Sequence, residues 1–319
     1  MASWQAALIS AIVRARVKRR LHGAEVDALA WRRRFGQPSF LRALFARRGR
    51  IMPVTSAPIR GGEWVEPRHG AAVDGRTILY LHGGGYFFCS PQTHRPITTA
   101  LANLARARVF VPDYRLAPEH RFPAAVDDAV AAVRWLRAQG VDMARLAIGG
   151  DSAGGGLTLA TLLSLRDAGE SLPAGAFCLS PWTDLAGTGR SLVTNDESCA
   201  MFYGDGIVPA GRVYLGDVAP THPLASPLYA EYAGLPPLLI HVSATETLLD
   251  DATRVADKAR AAGVSVMYRE WRDVPHVWQL FHPMLPEARE SLADIARFVV
   301  ERTSAAIFPP CESGPASAQ

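Results

Sequence analysis

Ser152 lies at the centre of the clearest chemical motif in the sequence, G-D-S-A-G at residues 150–154. A short apolar run that predicts a strand, 145–149, precedes the motif, and an apolar helical pattern over 153–168 follows it. A sharp strand-to-helix turn exposes a serine hydroxyl, and glycine is favoured on both sides because the turn is crowded. The pattern predicts that Ser152 is a nucleophile. The alternative is a serine that only caps the helix.

A second glycine-rich segment, H-G-G-G at 82–85, follows a predicted strand at 77–81. Glycines let backbone N–H groups turn toward a reacting oxygen, and such donors stabilise the oxyanion of acyl transfer. We predict that Gly83, Gly84 and Ala153 are these donors and that His82 braces the loop. A phosphate-binding loop is disfavoured, because the Lys-Ser/Thr of a P-loop and the glycine spacing of a dinucleotide site are missing.

A serine nucleophile needs a base, and the base needs an acid that orients it. When the serine follows a strand in this way, the acid and then the histidine come later in the chain. His276 and His282 are the histidines that follow the candidate acids. We assign His276 as the base, because its loop comes just after the predicted strand 264–271. His282, which precedes Pro283, is expected to be structural.

The orienting acid should lie just after the predicted strand 237–243. Glu246 lies there, and Asp250 follows where the next helix begins. Thr247 and Asp250 have the spacing of a helix capping box, in which each side chain bonds to the other's backbone amide. That structural role for Asp250 leaves Glu246 free, so we predict Glu246 as the acid and keep Asp250 as the alternative.

The elements that must position these residues alternate between strand and helix, which is typical of a mostly parallel sheet. The predicted strands are 76–82, 108–113, 145–149, 174–180, 237–243 and 264–271, and the predicted helices are 122–139, 153–168, one ending near 262, and 287–303. Residues 1–50 indicate two amphipathic helices, residues 184–235 an irregular insertion, and residues 304–319 a loose tail.

Basic residues are concentrated at the N-terminus. Residues 1–50 hold 12 Lys and Arg against two acids, whereas the whole chain has a net charge of +4. We interpret this excess as the solvated face of amphipathic helices, and contact with a membrane surface is the less favoured alternative. No nucleic-acid-binding motif accompanies the charge, so nucleic acid is not expected as a partner.

The remaining sequence features predict a cytoplasmic protein without cofactor or metal. The four cysteines form no C-x-x-C pair, which argues against a metal or redox motif. The sequence contains no run of about 18 apolar residues, so it predicts no membrane-spanning helix. The apolar stretch 6–13 precedes the basic cluster, whereas in a secretory signal it would follow it.

Together these residues resemble the hormone-sensitive-lipase-like family of bacterial esterases, also called family IV lipolytic enzymes. The resemblance covers roughly residues 75–303, and its motifs occur in the family's order. They are H-G-G-G at 82–85, D-Y-R-L-A-P-E at 113–119, G-D-S-A-G-G at 150–155, S-P-W-T-D at 180–184 and P-H-V-W at 275–278.

The resemblance implies an α/β-hydrolase fold, with a mostly parallel central sheet flanked by helices. It also implies a helical cap, built from residues 1–50 and 184–225, over a catalytic domain spanning 51–303. Relatives commonly dimerise through an edge strand, so the oligomeric state of this chain stays open, with a homodimer as one alternative. One departure concerns the acid: the family commonly has D-P-L-x-D-E, and Glu246 stands where its catalytic Asp would be.

We therefore predict a serine carboxylesterase that hydrolyses short- to medium-chain acyl esters through Ser152, Glu246, His276 and an acyl-enzyme intermediate. A lactone hydrolase or an amidase that uses the same three residues stays open. A non-catalytic ligand-binding protein on the same fold is less favoured, because the serine, the acid and the histidine are all present.

Overall fold

The structure, a computed structural model, describes residues 2–20, 26–36, 49–55, 60–68, 72–73 and 75–304. Its strands are β1 (Gly49–Val54), β2 (Gly62–Pro67), β3 (Thr77–Leu81), β4 (Arg108–Pro112), β5 (Leu146–Asp151), β6 (Gly175–Leu179), β7 (Leu238–Ser243) and β8 (Val266–Trp271). Its α-helices are α1 (Trp4–Arg16), α2 (Ala28–Phe35), α3 (Arg95–Ala105), α4 (Ala124–Ala138), α5 (Ala153–Asp167), α6 (Ser191–Thr194), α7 (Ile207–Leu215), α8 (Leu249–Ala261) and α9 (Pro286–Thr303).

All eight strands form one sheet in the order β1-β2-β4-β3-β5-β6-β7-β8. The pairs β1–β2 and β2–β4 are antiparallel, and every other neighbouring pair is parallel. The α/β class and the mostly parallel sheet predicted from the sequence are confirmed. Parallel strands end at the same edge, so the chain segments that follow β3, β5, β7 and β8 emerge together. These segments carry the H-G-G-G motif, Ser152, Glu246 and His276.

Helices cover both faces of the sheet, which explains why its central strands are buried along their whole length. In β3 every residue is buried: Ile78 and Tyr80 pack in the cluster that includes α3 and α9, and Leu79 and Leu81 pack in the cluster that includes α4, α5 and α8. Burying such a side chain stabilises the fold by about 2 kcal/mol. The strand that leads to the H-G-G-G loop is therefore held firmly from both sides.

The sequence analysis did not predict β1, β2 or α3. The segment of β2 contains Glu63, which looks unsuited to a buried strand, yet this carboxylate is buried and accepts hydrogen bonds from Arg95 of α3. The partner that makes burial of this charge possible is 32 residues away. Local pattern alone therefore could not identify this strand.

The predicted capping box at the start of α8 is wrong. The residue that caps α8 is Leu248, which has no side-chain capping bond. The Asp250 carboxylate accepts from the Ser191 N–H at 3.1 Å, and the Asp250 N–H donates to the Ser191 hydroxyl at 3.0 Å. The reciprocal pair exists, but it joins α8 to the insertion instead of closing the helix on itself.

The described residues include parts of the predicted N-terminal helices and of the predicted insertion. The predicted N-terminal helices are represented by α1 and α2, and the predicted insertion contains α6 and α7. The predicted tail lies outside the described residues except for Ser304. Within the described ranges, no helix combines the length and the apolar character needed to cross a bilayer.

Candidate active site

Ser152 stands between β5 and α5 in a conformation that L-residues rarely adopt, with φ 52° and ψ −122°. Such a backbone costs about 1–3 kcal/mol and persists only where the surroundings impose it. Here the surroundings are β3: a Cβ on Gly154 would lie 2.0 Å from Leu81 O, and one on Gly150 would lie 2.4 Å from the same oxygen. Both flanking glycines are therefore required by close packing.

His276 follows β8, and its imidazole is buried beside Glu246. The Nδ1 atom lies 3.0 Å from Glu246 Oε1, which fixes the ring so that Nδ1 carries the donated proton and Nε2 is left as an acceptor. Nε2 has no hydrogen-bond partner among the described residues. The edge of the ring meets Phe202, with 5.0 Å between the ring centroids.

Glu246 is itself held by two further donors. Its Oε2 accepts from the Ser180 hydroxyl at 2.8 Å and from the Ser243 N–H at 3.2 Å. Asp250, the alternative acid, instead contacts Ser191. Of the two acids that the sequence left open, the structure places Glu246 against His276.

Ser152 and His276 line the same cavity. No hydrogen bond joins Ser152 Oγ to His276 Nε2 in the described part of the chain. Catalytic hydrogen bonds are often long or absent before a substrate binds, and they tighten in the substrate complex. The arrangement therefore brings the predicted nucleophile and the predicted base to one site without an established contact between them.

Gly83 does not present its amide to the cavity as we predicted. The Gly83 N–H donates to Asp151 Oδ1 at 3.1 Å, so it is already used inside the protein. Gly84 and Gly85 line the cavity, and within the described residues their amides have no acceptor. Both have positive φ, 114° and 59°, and a Cβ on Gly84 would lie 2.2 Å from Phe88 O. Ala153, the first residue of α5, has one of the unpaired amides of a helix N-terminus.

A buried polar network lies behind this loop and centres on Asp151. Besides Gly83, the carboxylate accepts from the Tyr80 hydroxyl at 2.6 Å, and it lies 3.1 Å from His94 Nε2. Burial acts to raise the pKa of Asp151, but His94 and the Tyr80 hydroxyl outweigh this, so the pKa lies below its ordinary value. Asp151 is therefore a charged anchor for the loop that follows β3.

His82 lies within the protein beside this network. Its Nδ1 is 2.8 Å from Gly83 O, and its ring stacks on Tyr114 at 4.3 Å. Burial lowers the pKa of His82 to about 3, so the ring is neutral at physiological pH. These contacts agree with the bracing role that we predicted from the sequence.

The cavity is apolar and has a volume of about 130 Å³. Much of its apolar lining comes from three parts of the chain, and Trp182, Leu248, Val277 and Leu280 add to it. The three parts are Val26 and Trp31 from the N-terminus, Phe87 to Cys89 after β3, and Met201 to Tyr203 with Ile207 from the insertion. An apolar acyl group fits such a lining better than a charged one does.

The N-terminus is fastened to the segment 196–203, which forms one wall of the cavity. The Lys18 ammonium is buried; it donates to the carbonyl oxygens of Asp196 and Cys199 and lies 4.4 Å from the centre of the Tyr203 ring. Arg14 donates to two further carbonyl oxygens of the same segment. The N-terminal helix thereby helps to set the position of Phe202 against the imidazole.

Sequence reasoning missed three supporting residues: Asp151, Ser180 and His94. Asp151 lies inside the G-D-S-A-G motif and Ser180 opens S-P-W-T-D, so both lay in motifs that we had singled out. His94 gave no local signal, because its partner is 57 residues away. No group of three or more His, Cys, Asp or Glu that could hold a metal occurs in the described ranges.

Comparison with known proteins gives consistent results. A family model described as the alpha/beta hydrolase fold matches residues 78–280. The chain is 47% identical over 237 residues to an acetyl-hydrolase of Streptomyces hygroscopicus. The aligned region covers 74% of this chain and 78% of the relative. The chain is also 38% identical over 243 residues to the carboxylesterase/phospholipase LipF of Mycobacterium tuberculosis, and that alignment covers 74% of this chain and 65% of the relative.

Solved structures give a similar picture. The esterase EstE5, in crystals soaked with p-nitrophenyl butyrate, superposes with a TM-score of 0.87 at 40% identity, covering 95% of this chain and all of that one. An esterase of the bacterial hormone-sensitive lipase family superposes with a TM-score of 0.86 at the same identity and coverage. The similarity therefore extends over nearly the whole length of both chains.

Proposed function

The chain belongs to the hormone-sensitive lipase family of α/β-hydrolase esterases, and on this premise we propose that Ser152, His276 and Glu246 form its catalytic triad. The observation that carries the proposal is the buried pair of His276 and Glu246. It leaves Nε2 of the imidazole without a partner among the residues that the structure describes, at the wall of the cavity that also contains Ser152.

In the proposed reaction, Ser152 Oγ attacks the ester carbonyl carbon while His276 Nε2 takes the hydroxyl proton. Glu246 stabilises the imidazolium that forms, and Ser180 and Ser243 keep the carboxylate in place. The imidazolium then gives its proton to the departing alcohol, which leaves an acyl group on Ser152. Water, deprotonated by His276, releases the acid and restores the serine.

For the oxyanion we propose the amides of Gly84, Gly85 and Ala153, replacing Gly83 in our sequence-based set. The three residues border the nucleophile or the cavity, and their amides have no acceptor among the described residues. Asp151 takes the Gly83 amide and so fixes the loop that presents the next two. Donors held in place before the reaction stabilise developing charge without reorganising.

We propose acyl groups of short to medium length as substrates, because the lining of the cavity is apolar and its volume is small. The residues of the N-terminus and the insertion that line it are proposed to form a cap. An acyl series from acetate to palmitate tests this range. We expect kcat/KM to peak at a short or medium chain, and a peak at palmitate would contradict the proposed range.

The test of the nucleophile is the S152A variant with p-nitrophenyl butyrate. We expect kcat to fall by about 10⁴-fold or more, because the acyl-enzyme can no longer form. A p-nitrophenyl phosphonate ester should phosphonylate the parent enzyme and release p-nitrophenol, and peptide mapping should place the phosphonyl group on Ser152. Full activity in S152A, or an adduct on another residue, would remove Ser152 from this role.

A further inference from the structure

Helix α1 exposes an uninterrupted apolar surface. Trp4, Leu8 and Ile12 are 72%, 52% and 51% exposed and recur every four residues, so they lie on one face of the helix. Ala7 and Ala11, which lie beside them, are also exposed. From Trp4 to Val13 the helix contains no charged residue. We refer to Trp4, Leu8 and Ile12 as the α1 stripe.

The stripe is exposed because another face of α1 already packs against the protein. Ala6 is buried in a cluster with Trp271, Trp278 and Leu285, and Val13 is buried as well. At the start of the helix, the Ser3 N–H and hydroxyl donate to Glu287. The orientation of α1 is therefore fixed, and rotation of the helix would not bury the stripe.

Positive charge adjoins one end of the stripe. Arg16 and Arg19 are exposed, whereas Lys18 is buried against the insertion and Arg14 contacts it. Neither Arg16 nor Arg19 forms a salt bridge with another described residue, so both can meet an external anion. An apolar stripe next to exposed arginines is complementary to a surface with an apolar interior and anionic groups around it.

We propose that the α1 stripe docks this esterase on an anionic lipid surface, with the helix lying flat in the interface. The stripe spans nine residues of helix, a rise of about 12 Å, so its three side chains can enter the same layer. Tryptophan is favoured at lipid–water interfaces. Arg16 and Arg19 would then lie at the level of the headgroups and pair with their phosphates.

A second copy of the chain fits this surface less well. The stripe exposes parts of three large side chains, a few hundred Å² at most, whereas each partner in a stable dimer buries about 800 Å². A lipid surface needs no such area from a single rigid patch, because apolar insertion and charge attraction add together. A dimer formed through α1 is therefore the outcome that would contradict the proposal.

The test is flotation of the full-length protein with vesicles of phosphatidylcholine alone or mixed with phosphatidylglycerol. We expect binding to the mixed vesicles that weakens as salt is raised, and little binding to phosphatidylcholine alone. The combined variant W4Q/L8Q/I12Q should bind at least about tenfold more weakly. Glutamine forms helix well, so α1 should persist.

L104Q is the matched control, because Leu104 is 47% exposed on another helix and the same substitution is made there. It should bind vesicles like the parent. R16Q/R19Q should lose binding to the mixed vesicles while the stripe is intact. Hydrolysis of p-nitrophenyl butyrate in solution should stay at the parental rate in all variants, since none of these residues lines the cavity.

Parental binding by W4Q/L8Q/I12Q would overturn the proposal, as would absence of binding by the parent protein. Light scattering measures the oligomeric state and so tests the alternative that a second copy of the chain packs on the stripe. If the parent is a dimer that fails to float and the triple variant is a monomer, the stripe is an interface between copies of this chain.

Discussion

Asp151 connects the nucleophile to the loop that is proposed to stabilise the oxyanion. It precedes Ser152 in the chain, and its carboxylate holds the Gly83 N–H at 3.1 Å. The same carboxylate contacts Tyr80 and His94, so one buried charge sets the distance between two catalytic segments. We therefore regard Asp151 as a positioning residue, since its carboxylate is occupied by these protein partners.

Replacing Asp151 by Asn should lower kcat for p-nitrophenyl butyrate by roughly tenfold and leave KM little changed, because an amide nitrogen would displace one acceptor oxygen and shift the loop. The free energy of unfolding should fall by about 2 kcal/mol. Urea titration and steady-state kinetics measure the two effects. D142N is a suitable control, because Asp142 caps a surface turn and Asn caps equally well. A loss of stability with unchanged kcat would show that Asp151 has no positioning role.

The acid assignment gives a second prediction at this scale. E246Q should lower kcat by about 10³–10⁴-fold, the scale found when a triad carboxylate becomes an amide. D250N should keep kcat near that of the parent and lose about 1 kcal/mol of stability, because its carboxylate accepts from Ser191. Equal losses of activity in both variants would contradict the assignment.

Among the elements, α1 and the segment 196–203 depend on one another. The main link is the buried ammonium of Lys18, two residues after the end of α1, which donates to carbonyl oxygens on either side of Glu197 and Ser198. Phe202, at the end of this segment, touches the ring of His276. A substitution of Lys18 should therefore change the position of Phe202 in the cavity wall.

We expect K18M to raise KM for butyrate esters severalfold, because the wall formed by 201–203 loses its anchor. The free energy of unfolding should fall by about 2–3 kcal/mol, since two carbonyl oxygens lose a charged donor. R19M removes a neighbouring exposed charge and should change neither quantity. The prediction fails if K18M and R19M have the same KM.

Elements with their own apolar pattern could be predicted from the sequence, and those stabilised by distant partners could not. The segments of β3, β5, β6 and β7 are mainly apolar, and the sequence pattern predicts them. β2 was missed because burial of Glu63 depends on Arg95. The start of α8 was misread, because the partner of Asp250 is a serine in another element.

At the scale of the whole molecule, buried titratable groups link stability to pH. Burial lowers the pKa of His82 to about 3 and that of His241 to about 4, against an ordinary value of 6.5. The unfolded chain therefore takes up these protons first, and the free energy of unfolding decreases as pH falls below 6.5. Asp251 acts in the opposite sense, because burial raises its pKa from 3.8 to about 7.

The H241N variant isolates one of these contributions. Asn stays neutral, so between pH 6.5 and 4 the unfolding free energy of the variant should fall less steeply than that of the parent. The difference in slope should approach about 1.4 kcal/mol per pH unit, the value for one proton. Urea unfolding at several pH values measures it. Parallel curves would mean that His241 titrates alike in both states.

The meeting of the site residues at one edge of the sheet was predictable, because parallel strands bring the segments after β3, β5, β7 and β8 to that edge. The register within a loop was not. Gly83 and Gly84 are indistinguishable by residue type, and the Asp151 contact decides which amide is free. The contribution of Phe202 also escaped prediction, because its segment is irregular and its position depends on Lys18.

The contacts of α1 have a consequence for synthesis on the ribosome. This helix is translated long before the residues it contacts, because Ser3 bonds to Glu287 and Ala6 packs against Trp271 and Leu285. At about 5–20 residues per second, roughly 15–60 s separate the two ends of that hydrogen bond. During that interval the apolar residues of α1 either lack their packing partners or are bound by a chaperone. Helix α1 can therefore dock only after α9 has been made.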